Sequence, residues 1–402
     1  MQNIISLIQL DERSRTETAM DKTPSLSSSA IMTLLCIASL TIMVGAVIAP
    51  GLPQIAAALN VAAHPGWLMT LPALGAILFA PLAGRIIDSV GAYRSLTVGL
   101  FCYGLLGVML IWLHSPGWIY TDRLMLGGMT VMVMAATTML ISQWFSGEAR
   151  LAMIAKQGMA IEIGGVVFLF LGGVFASLHW ALPLSIYLFA WLFLVMLRQY
   201  VPSHHPAINE SDDKTLTALE QAADMPLRLI FFITGLSMLI FFSTVVVLPV
   251  TLAADGYSEA EVGYLLAFSS FIAMLSAYCM PLLALRLGET RLLMLAFVFY
   301  GAAHCLFWQS NATGLLIMAA IGNGIGFGFS IPLLNHMTVM RSASKARGKN
   351  LSYYAMAVFS GQLMTSFVTL LPDYQSRAFM VTTTLACLTG AGLLVYLRQQ
   401  AR

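Results

Sequence analysis

The sequence predicts an all-α integral membrane protein, with twelve transmembrane helices arranged in two pseudo-symmetric six-helix bundles. Composition is the first observation: of 402 residues, 59% are hydrophobic and only 9% are charged, whereas soluble proteins carry about 25% charged residues. The second observation is a series of long apolar runs separated by short polar joints. The third is one long polar interruption near the middle of the chain. Apolar runs of about 20 residues have the length that crosses a bilayer as a helix.

Twelve apolar runs are predicted to be membrane spans, because backbone polar groups inside lipid must be satisfied within each helix. Most joints between the runs are short, so consecutive spans should be antiparallel neighbours. The runs cover residues 30–55, 67–87, 93–113, 118–143, 151–177, 180–200, 227–253, 262–285, 290–308, 313–338, 350–371 and 377–397.

The polar interruption divides the chain into two halves of six spans. The predicted organisation is a tail at 1–29, a first bundle at 30–200, a linker at 201–226, a second bundle at 227–397 and a tail at 398–402. Lysine and arginine give the orientation. With the N-terminus in the cytoplasm, 18 of the 20 fall on the inner side and only Arg123 and Arg377 on the outer side. Both termini and the linker are therefore expected to be cytoplasmic.

The joint between spans two and three is tight and charged, with the sequence Gly84-Arg-Ile-Ile-Asp88-Ser-Val-Gly91-Ala-Tyr-Arg94. Gly84 permits close helix approach, and Gly91 permits a turn that a residue with a Cβ would resist. An ordinary cytoplasmic loop with positive-inside arginines is the alternative interpretation.

The two halves also match at an offset of 197 residues. Gly91 then aligns with Gly288, Arg94 aligns with Arg291, and further matches fall at equivalent joints. Two repeated halves around a central pathway are a recurring transporter architecture. The second joint has Leu285 where the first has Asp88, so only the first carries an acid at that position.

The pattern Gly-x-x-x-Asp-x-x-Gly-x-x-Arg at the first joint resembles the loop motif of the major facilitator superfamily. Arg123-Leu-Met-Leu-Gly127 on span four is similar to a second motif of that family, with Leu126 in place of its glutamine. The Gly147-Glu-Ala-Arg150 joint after span four adds to the resemblance, which covers about residues 30–397. The resemblance implies two bundles that rock about a central site and expose it to each side in turn.

The resemblance further implies that the 84–94 loop latches the inner face. Asp88 would engage positive partners or the N-terminus of the eleventh helix, where an acid is favoured. The inner-gate set implied by the motif is Gly84, Asp88, Gly91, Arg94, Arg150, Arg291 and Arg347.

Glu162 is the strongest functional candidate, because an ionisable group inside the bilayer costs several kcal/mol. It lies twelve residues after Arg150, which places it about 18 Å beyond the inner end of span five and near the midplane. A carboxyl group removed from water takes up a proton more readily. Glu162 is therefore predicted to be a proton-coupling or cation-recognising carboxylate facing a central cavity. The alternative is a glutamate hydrogen-bonded inside the bundle.

Asp122 and Arg123 open span four from the outer side. The family motif that Arg123 resembles is associated with proton coupling in antiporters, so both residues are candidates for coupling or substrate binding. The alternative is an interfacial pair that reaches the headgroups. Arg123 and Glu162 should lie at different depths, so no salt bridge between them is expected.

Small and amide residues complete the candidate set. Gly164 and Gly165 do not fit the family's antiporter motif Gly-x-x-x-Gly-Pro-x-x-Gly-Gly beyond the glycine pair, so export is less firmly indicated than the family. Tight helix packing is the expected role of Gly127, Gly164, Gly165 and Gly324. Asn323 and Gln362 could line a cavity or join helices.

Several other functions are disfavoured. No Ser/His/Asp set, Walker lysine or paired catalytic carboxylates occur, so the chain is not expected to be an enzyme. The five cysteines have no CxxC spacing, and neither a disulfide framework nor a metal site is indicated. No basic patch suggests nucleic acid, and no cofactor is expected, with the proton gradient as the energy source.

The favoured function is secondary active transport: proton-driven export of a small amphipathic compound, such as a drug-like molecule, metabolite or siderophore, across a bacterial inner membrane. The expected partners are the substrate and the lipid bilayer, with a monomer as the functional unit. The alternatives are uptake by proton symport, including siderophore uptake, and a membrane sensor or accessory protein that does not transport.

Overall fold

The computed structural model describes residues 26–145, 147–203, 225–309, 312–342, 347–371 and 373–400. Most of the predicted N-terminal tail and linker therefore lie outside the described residues. In the described ranges the helices are α1 Ser28–Ala46, α2 Leu52–Ala58, α3 Trp67–Val90, α4 Ala92–Met109, α5 Pro116–Trp144, α6 Gly147–Leu178, α7 Leu182–Ser185, α8 Phe189–Tyr200, α9 Leu227–Ala254, α10 Glu259–Leu287, α11 Glu289–Gln309, α12 Thr313–Met340, α13 Arg347–Thr369 and α14 Tyr374–Gln400.

Twelve long segments correspond to the twelve predicted spans. Within the described residues, eleven of them are long and apolar enough to cross a membrane. The remaining one, α13, is less apolar because hydroxyl and amide residues interrupt it. Some of these groups are satisfied inside the protein: Thr365 is fully buried, and Ser366 donates a hydrogen bond to Thr70 of α3. The observed architecture therefore agrees with the predicted all-α membrane fold.

The first predicted span, 30–55, is not a single helix. Helix α1 ends at Ala46, the chain turns through buried residues, and α2 begins at Leu52. Pro50 lacks the backbone N–H that a continuing helix needs, and its ring would clash with the preceding turn. Pro53 falls in the first turn of α2, where proline is tolerated.

The sixth predicted span, 180–200, is also interrupted. It consists of the short helix α7, a 3₁₀ turn at Ile186–Leu188 and helix α8. Pro183 lies at the start of α7, where its missing N–H costs nothing. The segment is still 19 residues long in total and sufficiently apolar to cross a membrane.

The two halves repeat at the predicted offset of 197 residues. The Tyr103 hydroxyl donates to the carbonyl oxygen of Leu40 at 2.8 Å, and the hydroxyl of Tyr300 lies 3.3 Å from that of Ser237. Both members of the second pair are 197 residues after their counterparts. The same hydrogen bond between the third and first spans of each half therefore recurs, α4 with α1 and α11 with α9. In the second half the partner is a side-chain hydroxyl in place of a backbone carbonyl.

Two pairs of glycines follow the same repeat. Gly91 and Gly288 end α3 and α10 with φ values of 93° and 84°, a region that favours glycine. A Cβ at Gly127 would collide with the carbonyl of Pro72, and one at Gly324 would collide with that of Ser269. These glycines thus set equivalent close crossings, α3 with α5 and α10 with α12.

The two bundles meet toward the outer side, which is the side away from the Lys- and Arg-rich joints. Gly173 of α6 and Gly263 of α10 are in backbone contact: a Cβ on Gly173 would lie 2.7 Å from the Cα of Gly263. Helices α3 and α13 are joined by the hydrogen bond between Thr70 and Ser366. The described structure is therefore closed at its outer end.

Candidate functional site

Glu162 lies at the middle of α6, whose 32 residues run from Gly147 to Leu178. Its side chain is partly exposed. Within the described part of the chain, its carboxylate has no hydrogen-bond or ion-pair partner. No hydrogen bond among the described residues therefore supports the alternative, in which Glu162 is hydrogen-bonded inside the bundle.

Glu162 faces the second half of the protein. The hydroxyl groups of Tyr300 and Tyr354 lie within electrostatic range of its carboxylate. Tyr354 donates a hydrogen bond of 2.8 Å to the carbonyl oxygen of Ile331, which holds it against α12. The carboxylate belongs to one bundle and these phenols to the other, and Tyr300 is fully buried within its own bundle.

The face of α6 that carries Glu162 contacts α10 toward the outer side but not toward the inner side. Residues spaced by three and four lie on one face of a helix, and Gly158, Gly165 and Gly173 share the face of Glu162. Outward, a Cβ on Gly165 would lie 3.8 Å from the Ser270 hydroxyl of α10, and Gly173 is in backbone contact with α10. Inward, a Cβ on Gly158 would meet nothing within 4 Å. Glu162 therefore lies where contact between the bundles ends and an inward-facing cleft begins.

Asp122 and Arg123 form a buried ion pair inside the first bundle. The guanidinium donates to Asp122 Oδ2 at 2.8 Å and 3.1 Å and to the Tyr187 hydroxyl at 3.4 Å. The side chains are 2% and 0% exposed, so the alternative of an interfacial pair is wrong: packing against α4 and Tyr187 removes both from the headgroups. Asp122 Oδ1 has no described hydrogen-bond partner. Glu162 is not among the hydrogen-bond partners of this pair.

Asn323 joins helices of the second bundle. Its amide donates to the Ser269 hydroxyl at 3.3 Å, and its carbonyl accepts from the Thr244 hydroxyl at 3.4 Å. Thr244 also lies 3.1 Å from Nε2 of His304, whose Nδ1 is 2.7 Å from the Thr382 hydroxyl. Asn323 and His304 are almost completely buried. Of the two roles left open for Asn323, the structure places it between helices.

Gln362 lies on α13 and is partly exposed, with no hydrogen bond to the groups around Asn323 or Glu162 among the described residues. Gly164 and Gly165 lie at the crossing of α6 with α1. A Cβ on Gly164 would lie 2.7 Å from Cβ of Ser39, and one on Gly165 would lie 3.1 Å from Ile42. Both glycines therefore let α1 approach α6 closely.

The inner-gate residues are separated in this structure. Asp88, Arg94, Arg150 and Arg291 are exposed, and the ion pairs found among the described residues involve none of them. The close helix approach predicted at Gly84 is not found in the described ranges, because a Cβ there would meet nothing within 4 Å. The side chain of Arg347 lies outside the described residues. Within the described ranges, the predicted latch residues therefore form no ion pair.

Sequence reasoning missed an ion pair on the inner face of the second half. Glu289, the residue after Gly288, accepts a hydrogen bond of 2.6 Å from Arg341 at the end of α12. Glu289 lies one residue after its glycine, whereas Asp88 lies three residues before Gly91. The two acids therefore do not align in the repeat. No group of three or more metal-ligating residues occurs in the described ranges.

The sequence profile of the Major Facilitator Superfamily matches residues 34–364, with a second, overlapping match at 230–401. The chain belongs to this superfamily. Among superfamily relatives, a tetracycline resistance protein, class D, from Salmonella ordonez is 26% identical over 312 residues, which cover 72% of this chain and 75% of the relative.

Solved transporter structures share the fold. A mutant of the nucleoside transporter NupG has a TM-score of 0.71 at 12% identity, over 91% of this chain and 99% of that one. A D-xylose-proton symporter has a TM-score of 0.68 at 14% identity, over 91% and 95%. These identities show the fold alone. Superfamily membership makes the protein a multi-pass membrane transporter of the secondary-transporter kind, acting on a small molecule.

Proposed function

We propose that this protein exports a small amphipathic molecule across a bacterial inner membrane in exchange for protons. The two bundles would rock about the cleft and expose it alternately to each side. Both termini would be cytoplasmic, and the open end of the cleft would face the cytoplasm. One chain contributes both walls of the cleft, so a monomer is the proposed functional unit.

The observation that carries the proposal is the carboxylate of Glu162 at the middle of α6, which has no partner among the described residues. A lone carboxylate at membrane depth is expensive to keep. It becomes useful where it binds a proton on one side of the membrane and releases it on the other. Its position at the inner end of the contact between the bundles lets the cleft deliver substrate and protons to the same place.

The direction of transport is inferred from a relative and from the side on which the cleft opens. The relative from Salmonella ordonez is named a tetracycline resistance protein, and a transporter can confer resistance by removing a drug from the cytoplasm. The cleft opens on the side that is predicted to be cytoplasmic, where an exported compound would enter. Both arguments favour export of a drug-like or metabolite-like compound over uptake.

Inside-out membrane vesicles with an acidic lumen test the proposal. A panel of amphipathic compounds is added outside, while a lumenal pH dye and compound accumulation are recorded together. Export by antiport predicts that a transported compound accumulates as the lumen becomes more alkaline. Vesicles without the protein control for weak bases that cross lipid unaided.

Two outcomes contradict the proposal. Release of a preloaded compound together with protons would indicate uptake by symport. If no compound moves under a proton gradient, the chain is a sensor or accessory protein that keeps the transporter fold.

A further inference from the structure

Helices α6 and α10 pack antiparallel in a defined register on the outer side. Gly173 lies against Gly263, and Gly165 lies against Ser270. A step of eight residues inward on α6 thus corresponds to a step of seven on α10. Continuing inward by seven residues on each helix, two turns or about 10.5 Å, pairs Gly158 with Ala277.

The continuation carries a small residue on each helix at the paired position. Gly158 lies on the contact face of α6, and Ala277 follows Gly263 and Ser270 on α10 at intervals of seven residues, which keeps the three in line. Such residues let helix backbones approach closely in a membrane. The outer part of the interface between α6 and α10, here called the seam, uses them, because Gly173 and Gly263 touch, but the inner part does not.

Gly158 has no steric role in the structure described. A Cβ there would meet nothing within 4 Å, whereas a Cβ on Gly173 would lie 2.7 Å from backbone. Gly158 is exposed, and the facing Ala277 is partly exposed. A glycine inside a helix costs about 0.5–1 kcal/mol relative to alanine. This position therefore carries a cost that no contact of the inward-open form explains.

We propose that Gly158 and Ala277 form the inner contact between α6 and α10 when the inner side of the transporter closes. The inference rests on the proposed function only in requiring alternating access, and not on the direction or the coupling ion. The seam would then have two points of contact: Gly173 with Gly263 on the outer side, and Gly158 with Ala277 on the inner side.

Glu162 lies between these two points of contact along α6. The residue of α10 at the matching depth is Met274, four residues inward of Ser270 and partly exposed in the open form. An unbranched thioether side chain fills irregular gaps well. When the inner contact forms, Met274 would therefore cover Glu162 without requiring a second small residue at this level.

The test is a substitution that the described form tolerates and the closed inner form does not. Gly158→Leu should leave expression and folding unchanged, since the side chain enters open space, yet reduce transport at least tenfold. Gly158→Ala should keep most of the activity. Gly392→Leu is the matched control, because Gly392 of α14 is also surrounded by open space. Transport by Gly158→Leu within twofold of the wild type would overturn the proposal.

Cross-linking gives a readout that does not depend on activity. Gly158→Cys and Ala277→Cys are combined in a background whose five natural cysteines are replaced. Closure should bring the two Cα atoms within about 7 Å, the limit for a disulfide. Cross-linking is expected in membranes, and its absence would overturn the proposal. A cross-linking pair in a protein that moves no compound would keep the contact and reject the proposed export.

Discussion

Ser366 of α13 donates a hydrogen bond of 2.5 Å to the hydroxyl of Thr70 on α3, and this bond joins the two bundles on their closed side. Thr70 in turn donates to the carbonyl oxygen of Gly66 at 3.2 Å. The chain of two bonds holds a side chain of the second half against the backbone of the first, near the outer end of α3.

Thr70→Val should weaken closure of the outer side. A typical net hydrogen bond is worth about 1 kcal/mol, so the ratio of outer-open to outer-closed molecules should rise about fivefold. Spin labels at Trp118 and Trp308, exposed positions near the outer ends of the two halves, would report a larger long-distance population. Thr137→Val is the control, since Thr137 is buried and bonds only to its own helix. Equal distance distributions for both variants would show that the bond does not hold the outer gate.

Glu162→Gln should abolish proton-driven transport, with a loss of at least a hundredfold, because the amide cannot bind and release a proton. Exchange of labelled for unlabelled substrate without a gradient should also fall, because in antiport the substrate moves with the ionised form and the amide resembles the protonated carboxyl. Glu162→Asp should retain part of the driven flux. Glu259→Gln, at the outer start of α10, is the control. Undiminished, gradient-driven flux in Glu162→Gln would exclude Glu162 as the coupling group.

Arg123→Met should be strongly destabilising, because it leaves Asp122 buried without its cation. Breaking a buried pair in this way costs about 3–5 kcal/mol. Arg377→Met provides the contrast: its pair with Asp373 spans 3.8 Å between side chains 55% and 79% exposed, and exposed pairs contribute about 0–1 kcal/mol. Denaturant unfolding in micelles measures both. If the two variants unfold alike, the buried pair has no structural role.

Asp88→Asn should leave the inward-open form unchanged, because Asp88 is exposed and has no described ion pair in it. If Asp88 closes the latch in the other state, the substitution removes a partner only there and increases the inward-open population. Labels at Ala152 and Leu285, exposed near the inner ends of α6 and α10, would detect this as fewer short distances. The same distances in wild type and variant would rule out the latch role.

The fold was largely predictable because lipid leaves the chain few choices. Apolar runs became helices, and the offset of 197 residues located Gly91 with Gly288 and Gly127 with Gly324. Hydropathy could not show that the first run breaks at Pro50, because the turn after α1 is as apolar as a helix. The span at 350–371 was predicted correctly although α13 is less apolar, and some of its polar groups are satisfied by neighbouring helices.

The sequence predicted how deep in the membrane Glu162 lies, but not which bundle its side chain faces. The rise per residue placed Glu162 at mid-helix, yet only the packed structure shows which bundle it faces. The interfacial alternative for Asp122 and Arg123 arose because they follow an outer loop, and their buried partner Tyr187 is distant in sequence. The hydrogen bonds of Asn323 likewise join α9, α10 and α12, which no local pattern relates.

The arrangement of charge gives the two halves different electrical behaviour. Near the midplane, the described part of the second half presents hydroxyl, amide and imidazole groups around His304, while the first half presents Glu162. Asp122 and Arg123 cancel, so an ionised Glu162 leaves the first half with an uncompensated charge. Membrane voltage acts on moving charge, at about 2.3 kcal/mol per elementary charge per 100 mV. Voltage should therefore bias the outward step, in which a neutral substrate moves with Glu162 ionised, and leave the return step, in which Glu162 carries a proton, almost untouched.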